Sequence, residues 1–281
     1  MSSNHRREGE PVHEIVVPLD GSRPAERAVH VAGAAALETG DSLRLVRVAP
    51  PGERGDALTY LHGAAKALLP GSSVGVEVIE ASTHHTVAES ILAVVGRDTD
   101  DSLLCMSTHG RSGVGSLLFG STAEEALRRT LRPVLLVGHR CAFPWPGTRG
   151  GVLLPVDLSG WDDSLLMVMA DVVRTSGLEP TLVKVTHPFD VEDAQHPMSG
   201  LESAARRLAH LGIETKSIHR FASDIPLTIA DVARSEGAAL VAMASGVPAG
   251  ATRVLLGSVT MRTIHEAPCP ILVFPSASGR P

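Results

Sequence analysis

Cysteine is scarce: three residues in 281, an odd number with no metal-binding spacing. That excludes a disulfide framework and points to reduced thiols. Cys105 lies inside an apolar run and reads as a small core residue, whereas Cys141 falls in an expected linker, where its exposure matters. Aromatic residues make up only 3%, so Val, Leu, Ala and Ile must fill the core. No apolar run reaches the roughly 18 residues of a membrane helix, and the polar start MSSNHRREGEPVHE has no apolar stretch after it. The expectation is a cytoplasmic protein with no membrane partner. Positive charge is also in deficit, 25 Lys and Arg against 31 Asp and Glu for a formal charge of -6, so no basic field attracts nucleic acid. What is present, 43% hydrophobic and 20% charged residues, is the balance of a globular chain long enough for two domains.

An internal repeat organises the rest. IVVPLDGS opens the first half and VLLPVDLS the second, which places Pro18 on Pro155 and Asp20 on Asp157, an offset of 137. Gly120-Ser121 falls on Gly257-Ser258 and Pro133 on Pro270 at the same offset, as do Leu45-Val46-Arg47-Val48 on Leu182-Val183-Lys184-Val185. Gly75-Val76-Glu77 and Gly212-Ile213-Glu214 add a fifth match, so no gap is needed between anchors. The expected division is a disordered tail 1–12, a first domain 13–138, a linker 139–149, a second domain 150–275 and a tail 276–281.

Within a copy, strands and helices alternate. IVVPLD is a short strand, Ser22 caps a helix that Gly40 ends, and LRLVRV alternates with its even positions able to face a core. A helical stretch from Asp56 to Leu69 precedes the strand VEVIE, the helix TVAESILAVVGR and the strand SLLCMS. STAEEALRRTL is the last helix and PVLLV the fifth strand. Such alternation implies right-handed crossovers and a parallel sheet, so each half reads as a five-stranded Rossmann-like α/β domain with helices on both faces.

Ligands of such sheets gather at the carboxyl ends of the strands. Asp20 and the Val48 backbone converge there with the small-residue segment Ser107-Thr108-His109-Gly110-Arg111-Ser112-Gly113-Val114-Gly115, which runs on to Gly120-Ser121-Thr122. Glycines let amides approach an anion, and a helix start adds donors and a positive dipole end, so phosphate oxygens are the expected guests. GRSGVG has its glycines in the wrong order for a dinucleotide fingerprint, and GSLLFGST has Ser121 where a Walker lysine must stand. Two readings need no ligand. Ser121 with Glu124 is a capping box, and Asp20 can cap its own turn.

On these residues the chain resembles the universal stress protein family in its tandem two-domain form. The family's nucleotide-binding members carry G-x2-G-x9-G-[ST] after the fourth strand. Gly110, nine residues, Gly120 and Ser121 match its latter part, and Ser107 stands in for the first glycine. The resemblance implies the adenine nucleotide alpha-hydrolase-like fold, with Leu19, Asp20 and Val48 at adenine and Ser107 at the ribose. Gly110, Arg111, Gly120, Ser121 and Thr122 would hold the phosphates of ATP, ADP or AMP, accompanied by Mg²⁺. It also implies self-association through fifth strands, RPVLLV and CPILVF here, which would join the two copies edge to edge, with a further homodimer and an unnamed regulatory protein partner.

His109 and Gly113 lie in the same loop and join the binding set, His109 as a donor or a structural hydrogen bond. His84-His85 reads as a loop rather than a metal site. The second copy keeps Asp157, Val185, Gly257 and Ser258, but Val247 replaces Gly110 and Pro248 replaces Arg111, so its site is expected to be weaker or empty. No nucleophile, base and orienting acid are visible, and no catalytic or metal-ligating residue is assigned. Rival readings are a nucleotide-free interaction scaffold and a slow ATPase or autophosphorylating protein with Ser121, Thr122 or Ser112 as acceptor.

Overall fold

A computed structural model describes residues 14–95, 102–108, 120–130, 132–142, 150–156, 161, 163–190, 198–245 and 257–274. The first half runs β1 (Glu14–Pro18), α1 (Arg23–Thr39), β2 (Ser42–Ala49), α2 (Arg54–Leu68), β3 (Gly75–Glu80), α3 (Val87–Val95), β4 (Ser102–Ser107), α4 (Ser121–Arg129) and β5 (Val134–Val137). The second runs β6 (Gly151–Pro155), α5 (Asp163–Ser176), β7 (Glu179–Thr186), α6 (Ser199–His210), β8 (Lys216–Phe221), α7 (Ile225–Ser235), β9 (Leu240–Ala244), α8 (Ser258–Glu266) and β10 (Ile271–Phe274). Local chemistry sets the helix ends where the sequence places them. Ser22 Oγ accepts from Ala25 N at 3.3 Å, and Gly40 adopts φ 76 while donating to Ala36 O at 2.8 Å.

The strands form one sheet in the order β3-β2-β1-β4-β5-β10-β9-β6-β7-β8. Within each half every pairing is parallel, and β5 meets β10 antiparallel with Leu135 opposite Leu272. Each half is therefore a five-stranded parallel α/β layer, as the alternation of elements predicts. Helices cover both faces. Val17, Leu45 and Cys105 pack in one cluster with α1 and α2, and Val16, Val46 and Leu104 in the other with α3 and α4.

Three expectations change. LRLVRV buries both faces, Leu43 and Leu45 on one side and Val46 on the other, because β2 lies between two paired neighbours. The stretch expected from Asp56 starts earlier, at Arg54, and ends at Leu68, while the last helix of the half stops at Arg129 rather than Leu131. Cys141 is buried, 3% exposed, and burial pushes its thiol up to about 11. The fifth strands join the two copies edge to edge, as the resemblance implies, so β5 and β10 each have a neighbour on both sides.

Candidate functional site

The carboxyl ends of β1, β2 and β4 bring the expected residues of the first half to one rim. Leu19 follows β1, is buried, and its amide donates to Val46 O at 2.8 Å. Asp20 is half-buried, and its Oδ1 accepts from Ser22 N at 2.9 Å, so the turn-capping role is present. Val48 is half-buried near the end of β2 and packs against the α3 and α4 cluster. Ser107 ends β4 half-exposed, next to Thr108, which is fully buried.

Thr108 ties the rim together. Its amide donates to Val137 O at 3.2 Å, and its carbonyl accepts from Gly120 N at 2.7 Å. Both ends of the loop between β4 and α4 are thereby pinned to one point. His109, Gly110, Arg111 and Gly113, with Ser112, lie outside the described residues. Gly120 is the N-cap of α4 and no side chain caps it, so the capping-box reading of Ser121 and Glu124 fails. The reason is positional: Ser121 already has helical geometry, one residue inside the cap. The first helical bond runs from Glu124 N to Gly120 O at 2.9 Å, and the amides of Ser121, Thr122 and Ala123 precede it. Ser121 is exposed and Thr122 half-buried at this helix start.

Beside Asp20 a cavity of about 270 Å³ is lined by Asp20, Gly21, Arg47, Glu53, Asp56, Ala57 and Tyr60. The Arg47 guanidinium lies 4.7 Å from the centre of the Tyr60 ring, and Tyr60 donates to Glu26 Oε1 at 3.1 Å. Burial, then the Glu26 carboxylate, holds the Tyr60 phenol well above its usual range. Gly21 takes φ +89, and a side chain there would meet Arg47 Nη1 at 3.2 Å. Three carboxylates, Asp20, Glu53 and Asp56, against the one guanidinium of Arg47 give this wall a net negative charge, which disfavours phosphate there. The sequence reading missed Arg47, Tyr60, Glu53 and Asp56, and it placed Thr108 in the loop without its anchoring role. One signal was available: Arg47 falls on Lys184, a basic residue inside a strand in both copies.

The second half repeats part of this frame. Gly257 N donates to Ser245 O at 2.8 Å, Ser245 N to Phe274 O at 2.8 Å, and α8 starts at Ser258 behind the cap residue Gly257. Val185 is half-buried near the end of β7, Lys184 is buried at 1% exposure, and Asp157, Val247 and Pro248 lie outside the described residues. His84 and His85 occupy the loop after β3, as expected, with His85 Nδ1 at 3.9 Å from a Glu89 oxygen. A second cavity of about 680 Å³ there, between Ile79, Glu80, Leu92 and Arg129, touches none of the expected binding residues. Among the described residues no three His, Cys, Asp or Glu side chains group to hold a metal ion, and no helix is long and apolar enough to cross a membrane.

Comparison with known proteins gives a consistent picture. The model of the Universal stress protein family matches residues 11–138 and again 150–275. A universal stress protein of Synechocystis sp. is 31% identical over 133 residues, 44% of this chain and 84% of that protein. Among solved structures, a universal stress protein from Archaeoglobus fulgidus superposes with TM-score 0.63 at 19% identity, covering 93% of this chain and 98% of that one, which supports the fold. Another from the same organism, in complex with dAMP, matches with TM-score 0.37 at 19% identity over 45% of this chain and 98% of its own. That likeness is too slight to carry a ligand across, so the ligand has to be argued from the rim itself.

Proposed function

Because the chain belongs to the universal stress protein family, we propose that its first half binds an adenine nucleotide and that occupancy changes which regulatory protein the chain meets in the cytoplasm. The observation that supports this most is the closure of Gly120 on Thr108, which sets the unbonded first amides of α4 beside the end of β4. Those amides and the positive end of the helix dipole suit phosphate. Val48 and Ser107 stand two strand spacings apart across β2-β1-β4, on the order of 10 Å, which suits a base at β2 and phosphates at α4. Leu19 and Asp20 lie between them just after β1, where a carboxylate can accept from an amine of the base or a ribose hydroxyl.

ATP, ADP or AMP fits this division of charge. Mg²⁺ would be held by phosphate oxygens and water with the Ser121 and Thr122 hydroxyls near by, since the described residues form no carboxylate cage for it. When bound, the ion supplies charge neutralisation for the phosphates. The first half's loop residues His109, Gly110, Arg111 and Gly113 complete the proposed contacts. The second half's Asp157, Val185, Gly257 and Ser258 make a weaker site, because Pro248 lacks the amide that Arg111 has. The proposal concerns binding, not hydrolysis. A homodimer would use a surface other than the fifth strands, whose edges are both taken.

Acid extraction of the purified chain followed by nucleotide chromatography, and calorimetry with ATP, ADP and AMP with and without Mg²⁺, test the reading. One adenine nucleotide per chain at the strong site is expected, weakened about tenfold or more in Asp20→Ala, a loss comparable to a hydrogen bond to a charged group. No heat and no melting shift with any of the three nucleotides would overturn it.

A further inference from the structure

Two helix starts at the rim of the first half carry opposite charge patterns. The start of α4 presents the unbonded amides of Ser121, Thr122 and Ala123 behind the uncharged cap Gly120, and its first carboxylate, Glu124, comes only after them. The start of α2 has Glu53 at its N-cap and Asp56 in its first turn, and no side chain caps it. A helix start is an anion site in its own right, so the chain's own two carboxylates cancel at α2 the attraction that α4 keeps. Arg54, the first residue of α2, does not offset them, because its guanidinium reaches Val78 O on β3 at 3.1 Å. Asp20 adds a third carboxylate to the same cavity, and the one cation among the lining residues is Arg47. Its guanidinium lies 4.7 Å from the centre of the Tyr60 ring, and the Tyr60 phenol, kept neutral chiefly by burial, brings no charge.

We infer that Glu53 and Asp56 make the first half's site selective at the sugar: it takes an adenine nucleotide whose ribose hydroxyls are free and rejects one that carries a phosphate on the 2′ or 3′ oxygen. The inference rests on the nucleotide-binding reading. With phosphates at the start of α4 and the base at β2, the sugar crosses the end of β1, where Asp20 and Gly21 line the cavity. A hydroxyl there can donate to a carboxylate. A second phosphate instead sets roughly two negative charges against Asp20, Glu53 and Asp56, and when fully ionised it has no proton to donate. Dinucleotide-binding sheets make the same choice, with an acid holding a free 2′-hydroxyl and an arginine accommodating a 2′-phosphate. Both residue types stand in this cavity, so the excess of carboxylate decides. Glu53 and Asp56 are exposed, hence the discrimination acts through solvent and shrinks as salt screens it.

Calorimetry of the full chain with AMP, adenosine 2′,5′-bisphosphate and adenosine 3′,5′-bisphosphate tests the selectivity. At low salt the bisphosphates should bind about tenfold or more weakly than AMP, since like charges brought together oppose binding. The gap should narrow near 1 M salt, where the screening length falls to about 3 Å. Glu53→Gln with Asp56→Asn should change AMP binding by about threefold or less, as surface substitutions do, yet bring both bisphosphates within about threefold of AMP. Glu53→Asp with Asp56→Glu, which keeps both charges, should keep the gap. Bisphosphates that match or exceed AMP in the unsubstituted chain overturn the selectivity and spare the nucleotide reading. A gap unchanged in the Gln and Asn pair overturns the role of Glu53 and Asp56. Absence of binding heat with AMP and with both bisphosphates overturns the nucleotide reading first and the selectivity with it.

Discussion

A methyl group added at Gly138 has nowhere to go, because the atom it meets is the Ile264 carbonyl oxygen of the backbone, not a side-chain tip that can swing aside. Gly138→Ala should therefore destabilise the chain by about 1–3 kcal/mol, the usual range for overpacking, lowering the urea midpoint at unchanged slope. A second effect at this scale depends on acidity. Burial holds the His30 imidazole below its ordinary value of 6.5, against the opposing pull of Glu26. The folded chain then binds fewer protons than the unfolded one just below that value, so stability is full above about 6.5 and falls as pH drops through it toward the folded-state value. His30→Gln should flatten that fall in melting temperatures taken between pH 7.5 and 5.5; an identical slope in the variant counts against the assignment.

Helix ends show what sequence chemistry can and cannot specify. Ser22 and Gly40 are legible because cap and stop are local events, and Ser22→Ala should cost about 1 kcal/mol, measurable by urea unfolding. The S/T-x-x-E pattern is local too, yet its outcome differs from one helix start to another. At Thr86 it forms the reciprocal pair, Glu89 N to Thr86 Oγ1 at 3.2 Å and Thr86 N to Glu89 Oε2 at 2.8 Å. At Ser121 it does not, because Gly120 is anchored to Thr108 and the helix begins one residue earlier than the pattern asks. The same limit governs the site. The succession of strands and helices, Asp20 and the Gly120-Ser121-Thr122 helix start were readable from alternation and from the repeat, while Ser107 was reached through the family resemblance. The carboxylates Glu53 and Asp56 and the neutral phenol of Tyr60 were not readable, since they meet Asp20 and Arg47 only once α2 packs beside β2.

For the whole molecule, the repeat made two domains legible, while their fusion into a single sheet follows from the β5 and β10 pairing. Each apolar cluster contains residues of both halves: Val137 and Cys141 with Leu154 and Phe274 on one face, Leu136 with Ile264 and Ile271 on the other. Scanning calorimetry should then give one cooperative transition for the chain, and two resolved transitions would show that the halves melt apart. The antiparallel seam has a spatial consequence as well. Strands of the two halves point in opposite senses, so the rims at their carboxyl ends look away from each other. A molecule held at one rim would leave the other bare, as at the two ends of a bracket, so neither would obstruct the other.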